Sequence, residues 1–260
     1  MEHLAITIDG PRARVELRRP GIHNAFDDVL VSELAEAAGR LAGDDAVRVV
    51  VLSGAGKSFC AGADLNWMKR MIEYGREENL RDAAAMAAMF SAWDTFPKPV
   101  VGSIHGAALG GGTGLVAVCD IAIAADDTVF AFSEVRLGIL PAVISPFVTA
   151  KIGRSAAREL FLTGERFGAE RAREIGLVHR TAPAGELDAA VDAVVQDLLR
   201  GGPRAQSRIK SLLRTIHGVD PGTARTPTVE AIADARAGAE GQEGMHAFLE
   251  RRRPAWREDG

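Results

Sequence analysis

Residues 100–125 read VVGSIHGAALGGGTGLVAVCDIAIAA, and this stretch predicts a strand, a glycine-rich loop and a helix in succession. β-Branched residues dominate 100–104, five glycines fall between 106 and 114, and 115–118 is apolar again. Glycine has no Cβ, so its backbone amide can approach another group closely. A helix N-terminus adds unpaired N–H groups and a partial positive charge. The stretch therefore predicts a place where negative charge binds or develops.

Strands and helices alternate on both sides of this stretch, which predicts an α/β sheet. We expect strands at residues 4–9, 12–17, 47–52, 100–104, 121–125, 129–132 and 177–180. We expect helices from Asp27 onwards and at 66–96, 115–118, 147–152, 155–162, 169–175, 187–199, 204–216, 224–239 and 242–253. Because helices dominate the end of the chain, we predict a core domain over 1–195 and a helical C-terminal region over 196–260.

Composition excludes several classes of protein. The chain has 260 residues, 47% of them hydrophobic and 25% charged, with a net charge of −4, which gives no electrostatic case for nucleic acid. The two cysteines, Cys60 and Cys119, form neither a disulfide framework nor a paired metal-ligand spacing. No apolar run approaches the roughly 20 residues of a membrane span, and the N-terminus lacks a secretory pattern. We therefore expect a cytoplasmic protein without membrane or nucleic-acid partners.

Two segments partly match nucleotide-binding motifs. The segment GAGKS at 54–58 follows a predicted strand, but the first glycine of a phosphate loop would fall at Val51. The segment GTGLVA at 112–117 fits a loose dinucleotide fingerprint, but its glycines lie several residues beyond the strand and the expected acidic residue is missing. Neither match favours nucleotide binding, and tight helix packing is the simpler alternative for an isolated glycine-rich turn.

A second loop of small residues favours a functional role for the glycine-rich loop over tight helix packing alone. Residues 60–63 (CAGA) and 109–112 (LGGG) each follow a β-branched run and could each offer a backbone amide. Two amides that converge from separate loops form an oxyanion hole, which stabilises an oxygen that becomes negative during a reaction.

Motifs along nearly the whole chain resemble the crotonase (enoyl-CoA hydratase/isomerase) superfamily. The resemblance is carried by FCAGADL at 59–65, HGAALGGG at 105–112, CDIAIA at 119–124 and further matches within 19–26, 162–178 and 243–252. It implies a spiral of ββα units with a helical C-terminal trimerisation region. It also implies a homotrimer or a hexamer (a dimer of trimers) that binds acyl-CoA thioesters. A cofactor is not expected, because the implied chemistry is neither redox nor metal chemistry.

The resemblance also implies catalytic positions. The oxyanion amides would be those of Ala63 and Gly111, and two catalytic glutamates would fall at 114 and 134. This chain has Gly114 and Glu134, so one carboxylate is present and one is missing. A single glutamate could deprotonate water and return the same proton to Cα, which is hydration. It could also move a proton between carbons without water, which is double-bond isomerisation.

Binding residues are implied by the same alignment. The CoA-contacting positions are His23, Ala25, Ala61, Asp64 and Leu65, with Phe248 and Arg251 reaching the adenine and 3′-phosphate from a neighbouring subunit. The acyl-pocket positions are Met68, Leu137 and Val143. We also expect Asp64 to cap a helix that starts near Leu65, which would hold the Ala63 amide in place.

Residues 133–138 and 141–146 are similar to one bacterial branch of the superfamily, which contains hydratases of 3-methylglutaconyl-CoA and isohexenylglutaconyl-CoA. That branch also lacks the first glutamate. Arg136 is then either a partner for a substrate carboxylate or a solvated surface charge. Our leading hypothesis is an enoyl-CoA hydratase-type lyase; the alternatives are a Δ3,Δ2-enoyl-CoA isomerase and a non-catalytic acyl-CoA-binding protein.

Overall fold

The computed structural model describes residues 1–257. Their strands are β1 (Leu4–Asp9), β2 (Arg12–Leu17), β3 (Val49–Gly54), β4 (Val100–Ile104), β5 (Ala107–Leu109), β6 (Ile121–Ala125), β7 (Val129–Ala131), β8 (Arg166–Gly168) and β9 (Arg180–Ala182). Their helices are α1 (Asp28–Ala42), α2 (Leu65–Glu73), α3 (Arg76–Asp94), α4 (Gly111–Val118), α5 (Ser145–Thr163), α6 (Ala169–Glu174), α7 (Leu187–Leu199), α8 (Pro203–Ile216), α9 (Pro221–Ala237) and α10 (Ala239–Leu249).

The larger sheet has the strand order β1-β2-β3-β4-β6-β9. β1 and β2 form an antiparallel hairpin, and every following pair in this sheet is parallel. Val50 and Leu52 of β3 join the main core, whereas Val49 and Val51 face a second core that includes α7. Because both faces are covered, the central strands are apolar throughout rather than alternating.

A smaller sheet lies beyond the end of β4 and positions the start of α4. Its order is β5-β7-β8, with β5 parallel to β7 and β7 antiparallel to β8. Phe130 of β7 stacks on Phe167 of β8 with ring centroids 5.6 Å apart. The chain thus passes from β4 through the short strand β5 directly into α4, which carries the glycines of the quoted stretch.

Most predicted elements are present, and the differences occur at short or strained segments. The predicted helix over 66–96 is wrong as one element, because extended backbone at Tyr74 and Gly75 separates α2 from α3. The predicted helices at 147–152 and 155–162 are one helix, α5, with a kink at Gly153 (φ 74°). α4 begins at Gly111 rather than at 115, the strand predicted at 177–180 is observed at Arg180–Ala182, and β5 and β8 were not predicted.

The C-terminal helices divide into two groups. α7 packs on the large sheet through Val191, Val194 and Val195, so the predicted domain division at residue 195 falls inside this helix. α8, α9 and α10 pack mainly on one another, and Ala247 is the only residue of these three helices that is buried. The division remains a prediction, and residues 258–260 of the predicted C-terminal region lie outside the described residues.

Candidate active site

The two loops of small residues are in direct contact. The Cys60 amide donates to the Ala107 carbonyl at 3.0 Å, and the Leu109 amide donates to the Cys60 carbonyl at 2.9 Å. The approach requires glycine at position 112, where a Cβ would lie 2.2 Å from the Cys60 carbonyl oxygen. The structure therefore brings together residues that are about fifty positions apart in the chain.

Within residues 1–257, the amides of Ala63 and Gly111 have no hydrogen-bond acceptor. Phe26 pairs with both neighbours of Ala63: its amide donates to the Gly62 carbonyl (2.7 Å) and its carbonyl accepts from the Asp64 amide (2.8 Å). The Ala63 amide lies between these bonds and donates none within residues 1–257. Gly111 is the first residue of α4, where a helix has no internal acceptor for the amide.

Phe26 also links the two amides in space. A Cβ at Gly111 would lie 3.2 Å from the Phe26 ring, so the benzene ring contacts the start of α4 while the Phe26 backbone pairs with residues 62–64. Phe26 belongs to the motif within 19–26, and the sequence predicted no role for it. Its intermediate position between two loops becomes visible only in three dimensions.

Glu134 lies against the start of α4. It belongs to a short 3₁₀ segment (Ser133–Leu137), and a Cβ at Gly110 would lie 3.1 Å from its Oε1 atom. Gly110 itself has φ 51°, the left-handed region that favours glycine. The structure thus places the predicted catalytic carboxylate beside the residue that precedes Gly111.

The environment of Glu134 suits a proton-transfer group. Its Oε2 atom is buried without a hydrogen-bond partner, and Glu134 forms no ion pair within the described residues. Burial raises the pKa of Glu134, partly offset by a hydrogen bond from its own amide. A carboxyl group with a raised pKa accepts and returns a proton more readily near neutral pH.

The position of the missing glutamate is filled by apolar side chains. A Cβ at Gly114 would lie 2.4 Å from Ile144 Cγ2 and 3.1 Å from Phe90 Cε1. Ile144 is buried at the start of α5, and Phe90 is buried in α3. A second carboxylate therefore has no space here, and sequence reasoning did not identify either side chain as the reason.

Asp64 is the N-cap of α2, as predicted, and it is also held by a half-buried arginine. Its Oδ1 accepts from the Asn66 amide at 2.7 Å, and Arg19 lies 2.8 Å from carboxylate oxygens of both Asp64 and Asp27. Burial would raise the pKa of Asp64, but the Asn66 amide and the Arg19 guanidinium outweigh it and hold the pKa below its ordinary value. Arg19 was not predicted as a site residue, and the network fixes the backbone around Ala63.

The predicted CoA-contacting residues form two groups. His23, Ala25, Ala61, Asp64 and Leu65 lie in or beside the loop of small residues at 60–63; the Ala61 amide donates to the His23 carbonyl at 2.9 Å. His23 and Leu65 are exposed, whereas the Asp64 carboxylate is committed to Arg19 and α2. Phe248 and Arg251 are exposed at the end of α10, which packs on α8 and α9 rather than near Glu134.

The predicted acyl-pocket residues differ in exposure. Met68 is half-buried on α2, Val143 is half-buried next to Ile144 and packs against the core, and Leu137 is 59% exposed. Cys60 is fully buried, and burial raises the pKa of its thiol to about 12, which leaves it unsuited to nucleophilic attack.

Residues 1–257 contain no group of three or more His, Cys, Asp or Glu side chains that could hold a metal ion. None of their helices has the length and apolar character needed to cross a membrane.

Known proteins are similar to this chain over nearly its whole length. The family model "Enoyl-CoA hydratase/isomerase" matches residues 11–259. An enoyl-CoA hydratase structure from Shewanella pealeana is 41% identical, with a TM-score of 0.95 over 98% of this chain and 96% of that one. AtuE of Pseudomonas aeruginosa is 36% identical, with a TM-score of 0.94 over 98% and 100% of the two chains.

A curated relative from Thermus thermophilus, named "Putative enoyl-CoA hydratase", is 34% identical over 94% of this chain and 97% of its own length. The α/β fold is therefore the crotonase fold, as the motifs implied. The interpretation as a non-catalytic binding protein is not favoured, since the members of this family are enzymes. The chain belongs to the enoyl-CoA hydratase/isomerase family of the crotonase superfamily.

Proposed function

We propose that this enzyme adds water to the double bond of an α,β-unsaturated acyl-CoA thioester. The amides of Ala63 and Gly111 hold the thioester oxygen, and Glu134 is the sole general base and general acid. The observation that carries this proposal is the position of the Glu134 carboxylate, which lies against Gly110 with one buried, unpartnered oxygen. A carboxylate so placed and two unpaired amides are the groups that the reaction requires.

Each step uses groups of this chain. Glu134 takes a proton from water, the hydroxyl oxygen bonds to Cβ, and the π electrons move so that negative charge develops on the thioester oxygen. The amides stabilise this enolate-like oxygen, and each such donor is worth about 10²–10³ in rate. The protonated Glu134 then delivers the same proton to Cα, on the face from which the water came.

One observation favours a second candidate, a Δ3,Δ2-enoyl-CoA isomerase. The place of a second carboxylate is filled by Ile144 and Phe90, so no pair of carboxylates holds a water molecule between them. In the isomerase reaction Glu134 removes a proton from Cα of a β,γ-unsaturated thioester and returns it to Cγ. The oxyanion amides would serve both reactions equally.

We infer that the acyl group carries a free carboxylate in addition to the thioester, as in 3-methylglutaconyl-CoA. Arg136 is exposed two residues after Glu134 and forms no side-chain hydrogen bond or ion pair within residues 1–257. Its side chain passes close to Gly164, where a Cβ would lie 3.2 Å from Arg136 Cγ. Arginine binds a carboxylate through two parallel hydrogen bonds. Met68, Leu137 and Val143 would contact the apolar part of the acyl group.

We also propose that the CoA moiety is bound between two copies of the chain in a homotrimer or hexamer. His23, Ala25, Ala61, Asp64 and Leu65 would contact CoA from one subunit. Phe248, 83% exposed, and Arg251 would reach its adenine and 3′-phosphate from a neighbour. The exposed apolar side chains of α8–α10 that support such an assembly include Ile209, Leu213, Val229, Ile232 and Leu249. The reaction as written needs no cofactor.

Incubation in ¹⁸O-labelled water separates the two candidate reactions. Crotonyl-CoA, 3-methylglutaconyl-CoA and a β,γ-unsaturated hexenoyl-CoA are offered in parallel, and the products are analysed by mass spectrometry. Incorporation of ¹⁸O into a hydroxyacyl product supports hydration. Conversion of the hexenoyl substrate to its α,β isomer without ¹⁸O, with no hydration of the other two, establishes the isomerase instead.

The substrate proposal has its own test. Arg136→Gln is expected to raise KM for 3-methylglutaconyl-CoA about tenfold, because a charge-assisted hydrogen bond of about 1.5 kcal/mol is lost, and to leave crotonyl-CoA unaffected. Arg158→Gln, which changes another exposed arginine without a hydrogen-bond or ion-pair partner among residues 1–257, is the matched control. Equal KM changes for both substrates would contradict carboxylate recognition by Arg136.

A further inference from the structure

Lys151 lies at the end of α4 opposite to Gly111. Its Nζ atom donates to the carbonyls of Val116 and Ala117, both at 3.4 Å, and to the carbonyl of Cys119. Val116 and Ala117 lie in the last turn of α4 and Cys119 is its C-cap, where a helix has no further turn to supply donors; the Val116 carbonyl also accepts from the Cys119 amide at 3.3 Å. A lysine has three donors, and here all three have a carbonyl partner.

This end of α4 needs a donor because the helix is surrounded by protein. Every residue from Gly112 to Val118 is buried, as is Cys119. The aligned peptide dipoles place partial negative charge at the carboxyl end, where a cation is favourable. Burial lowers the pKa of Lys151, and the neighbouring acids Asp120 and Asp94 oppose this shift.

The side chain that fills the space at Gly114 comes from the residue just before α5, and Lys151 lies in α5 itself. Ile144 precedes the first residue of α5 and contacts Gly114, and Lys151 lies two turns further along α5. α5 thus holds α4 at two points, one near its middle and one at its end. α4 has only eight residues, about 12 Å of helix, so a tilt at Cys119 is transmitted to Gly111.

We propose that Lys151 is a positioning residue for the reaction: by binding the carboxyl end of α4, it fixes the direction of the Gly111 amide at the amino end. Lys151 does not touch the substrate. The inference rests on the proposed role of the Gly111 amide, and its test must therefore report on that amide directly.

Lys98 provides a matched control. Its Nζ atom donates to the carbonyls of Leu41 (2.8 Å) and Asp44 (2.5 Å) at the carboxyl end of α1, a helix that carries no oxyanion amide. Burial also lowers the pKa of Lys98. Lys98→Met and Lys151→Met therefore remove the same kind of bond from two core helices, only one of which leads to the reacting oxygen.

The experiment combines steady-state kinetics with a chromophoric probe. Bound dimethylaminocinnamoyl-CoA should absorb at longer wavelength when its thioester oxygen accepts hydrogen bonds, because electron density moves toward that oxygen. Lys151→Met is expected to lower kcat about 10- to 100-fold, since small misplacements of reacting groups cost rates of this order. It should change KM less than threefold and reduce the wavelength shift of the bound probe. Lys151→Arg should restore most of both.

The outcomes are distinguishable. Lys98→Met is expected to keep both kcat and the wavelength shift per folded molecule. The inference is wrong if Lys151→Met keeps both as well, or if the two variants lose activity only in proportion to lost folded protein. A wild-type enzyme that gives no wavelength shift would instead overturn the proposed oxyanion hole itself. If Lys151→Met does not fold, Lys151→Gln is measured instead; it has two donors in place of three and no charge, so a smaller loss of kcat and of the wavelength shift is expected, and full retention of both would overturn the inference.

Discussion

α4 and the three C-terminal helices α8–α10 are opposite kinds of helix within one chain. Seven of the eight residues of α4 are buried, and none of the eight is charged. In α8–α10 only Ala247 is buried, and several large apolar side chains are exposed. α4 is thus held completely by its own chain, whereas α8–α10 present a surface that suits contact with another molecule. The proposed chemistry lies with α4, and the CoA contacts proposed to come from a neighbouring subunit, Phe248 and Arg251, lie at the end of α10.

The largest expected effect concerns Glu134, which lies against the buried helix α4. Glu134→Gln keeps the shape of the side chain but cannot take a proton, so kcat is expected to fall by about 10²–10⁴. KM should change little, because the oxyanion amides and CoA contacts remain. Steady-state kinetics on the substrate identified with labelled water measures the effect.

The control for this variant is Glu186→Gln, which changes an exposed glutamate far from α4 in sequence. It should keep full activity. Full turnover by Glu134→Gln would remove Glu134 from the mechanism, and with it the argument that the chemistry is contained in the region of α4.

Prediction from sequence was strongest where local pattern and structure coincide. The hairpin β1–β2 has the predicted bounds, because alternating residues around Gly10 and Pro11 need no distant contacts to be recognised. α7 matches its predicted range 187–199, and Asp27 caps α1 as predicted, accepting from the Leu30 amide at 2.8 Å. In each case the signal lies within a few neighbouring residues.

The differences arise where distant contacts decide. β5 has three residues and exists because it pairs with β7, and its middle residue Ala108 also pairs with Cys60. Glycine has low helix propensity, so the predicted helix began too late. In the structure Gly112 packs against Cys60 and Gly114 packs against Ile144, and neither position has space for a Cβ. The site residues Ala63, Gly111 and Glu134 came from the family resemblance, and their roles stay predictions.

The second largest effect tests how tightly α4 is packed. Gly114→Ala would place a Cβ 2.4 Å from Ile144 Cγ2, and overpacking of this kind costs about 1–3 kcal/mol of unfolding free energy. Gly39→Ala on the exposed face of α1 meets nothing within 4 Å and should stabilise by about 0.4–1 kcal/mol. Denaturant unfolding measures both. The double variant Gly114→Ala/Ile144→Ala should lose less stability than the sum of the two single losses, and a neutral Gly114→Ala would show that space for a second side chain exists.

A smaller effect tests the other side of the comparison. Arg251→Gln is expected to raise KM for CoA thioesters about two- to fivefold, the value of an exposed ion pair of 0.2–1 kcal/mol. The matching thioester of pantetheine, which lacks the adenosine 3′-phosphate, should show no change. Analytical ultracentrifugation should show three or six copies for both proteins. If the wild-type enzyme is a monomer and Arg251→Gln leaves the KM for CoA thioesters unchanged, the proposed contact between subunits is wrong.

The smallest effect is a dependence on pH that joins stability and activity through Glu134. Burial raises the pKa of Glu134 in the folded protein, so its contribution to stability is fully present below the unfolded pKa and is lost as pH rises through the folded pKa. Glu134→Gln should therefore gain stability relative to wild type as pH rises above the ordinary glutamate pKa, measured as the difference in Tm. The acid limb of kcat/KM in the wild type should lie above the ordinary glutamate pKa, because the base must be ionised. A Tm difference that is constant across this range, or an acid limb at the ordinary value, would show that the carboxylate is solvated and that α4 does not enclose the chemistry as tightly as its packing indicates.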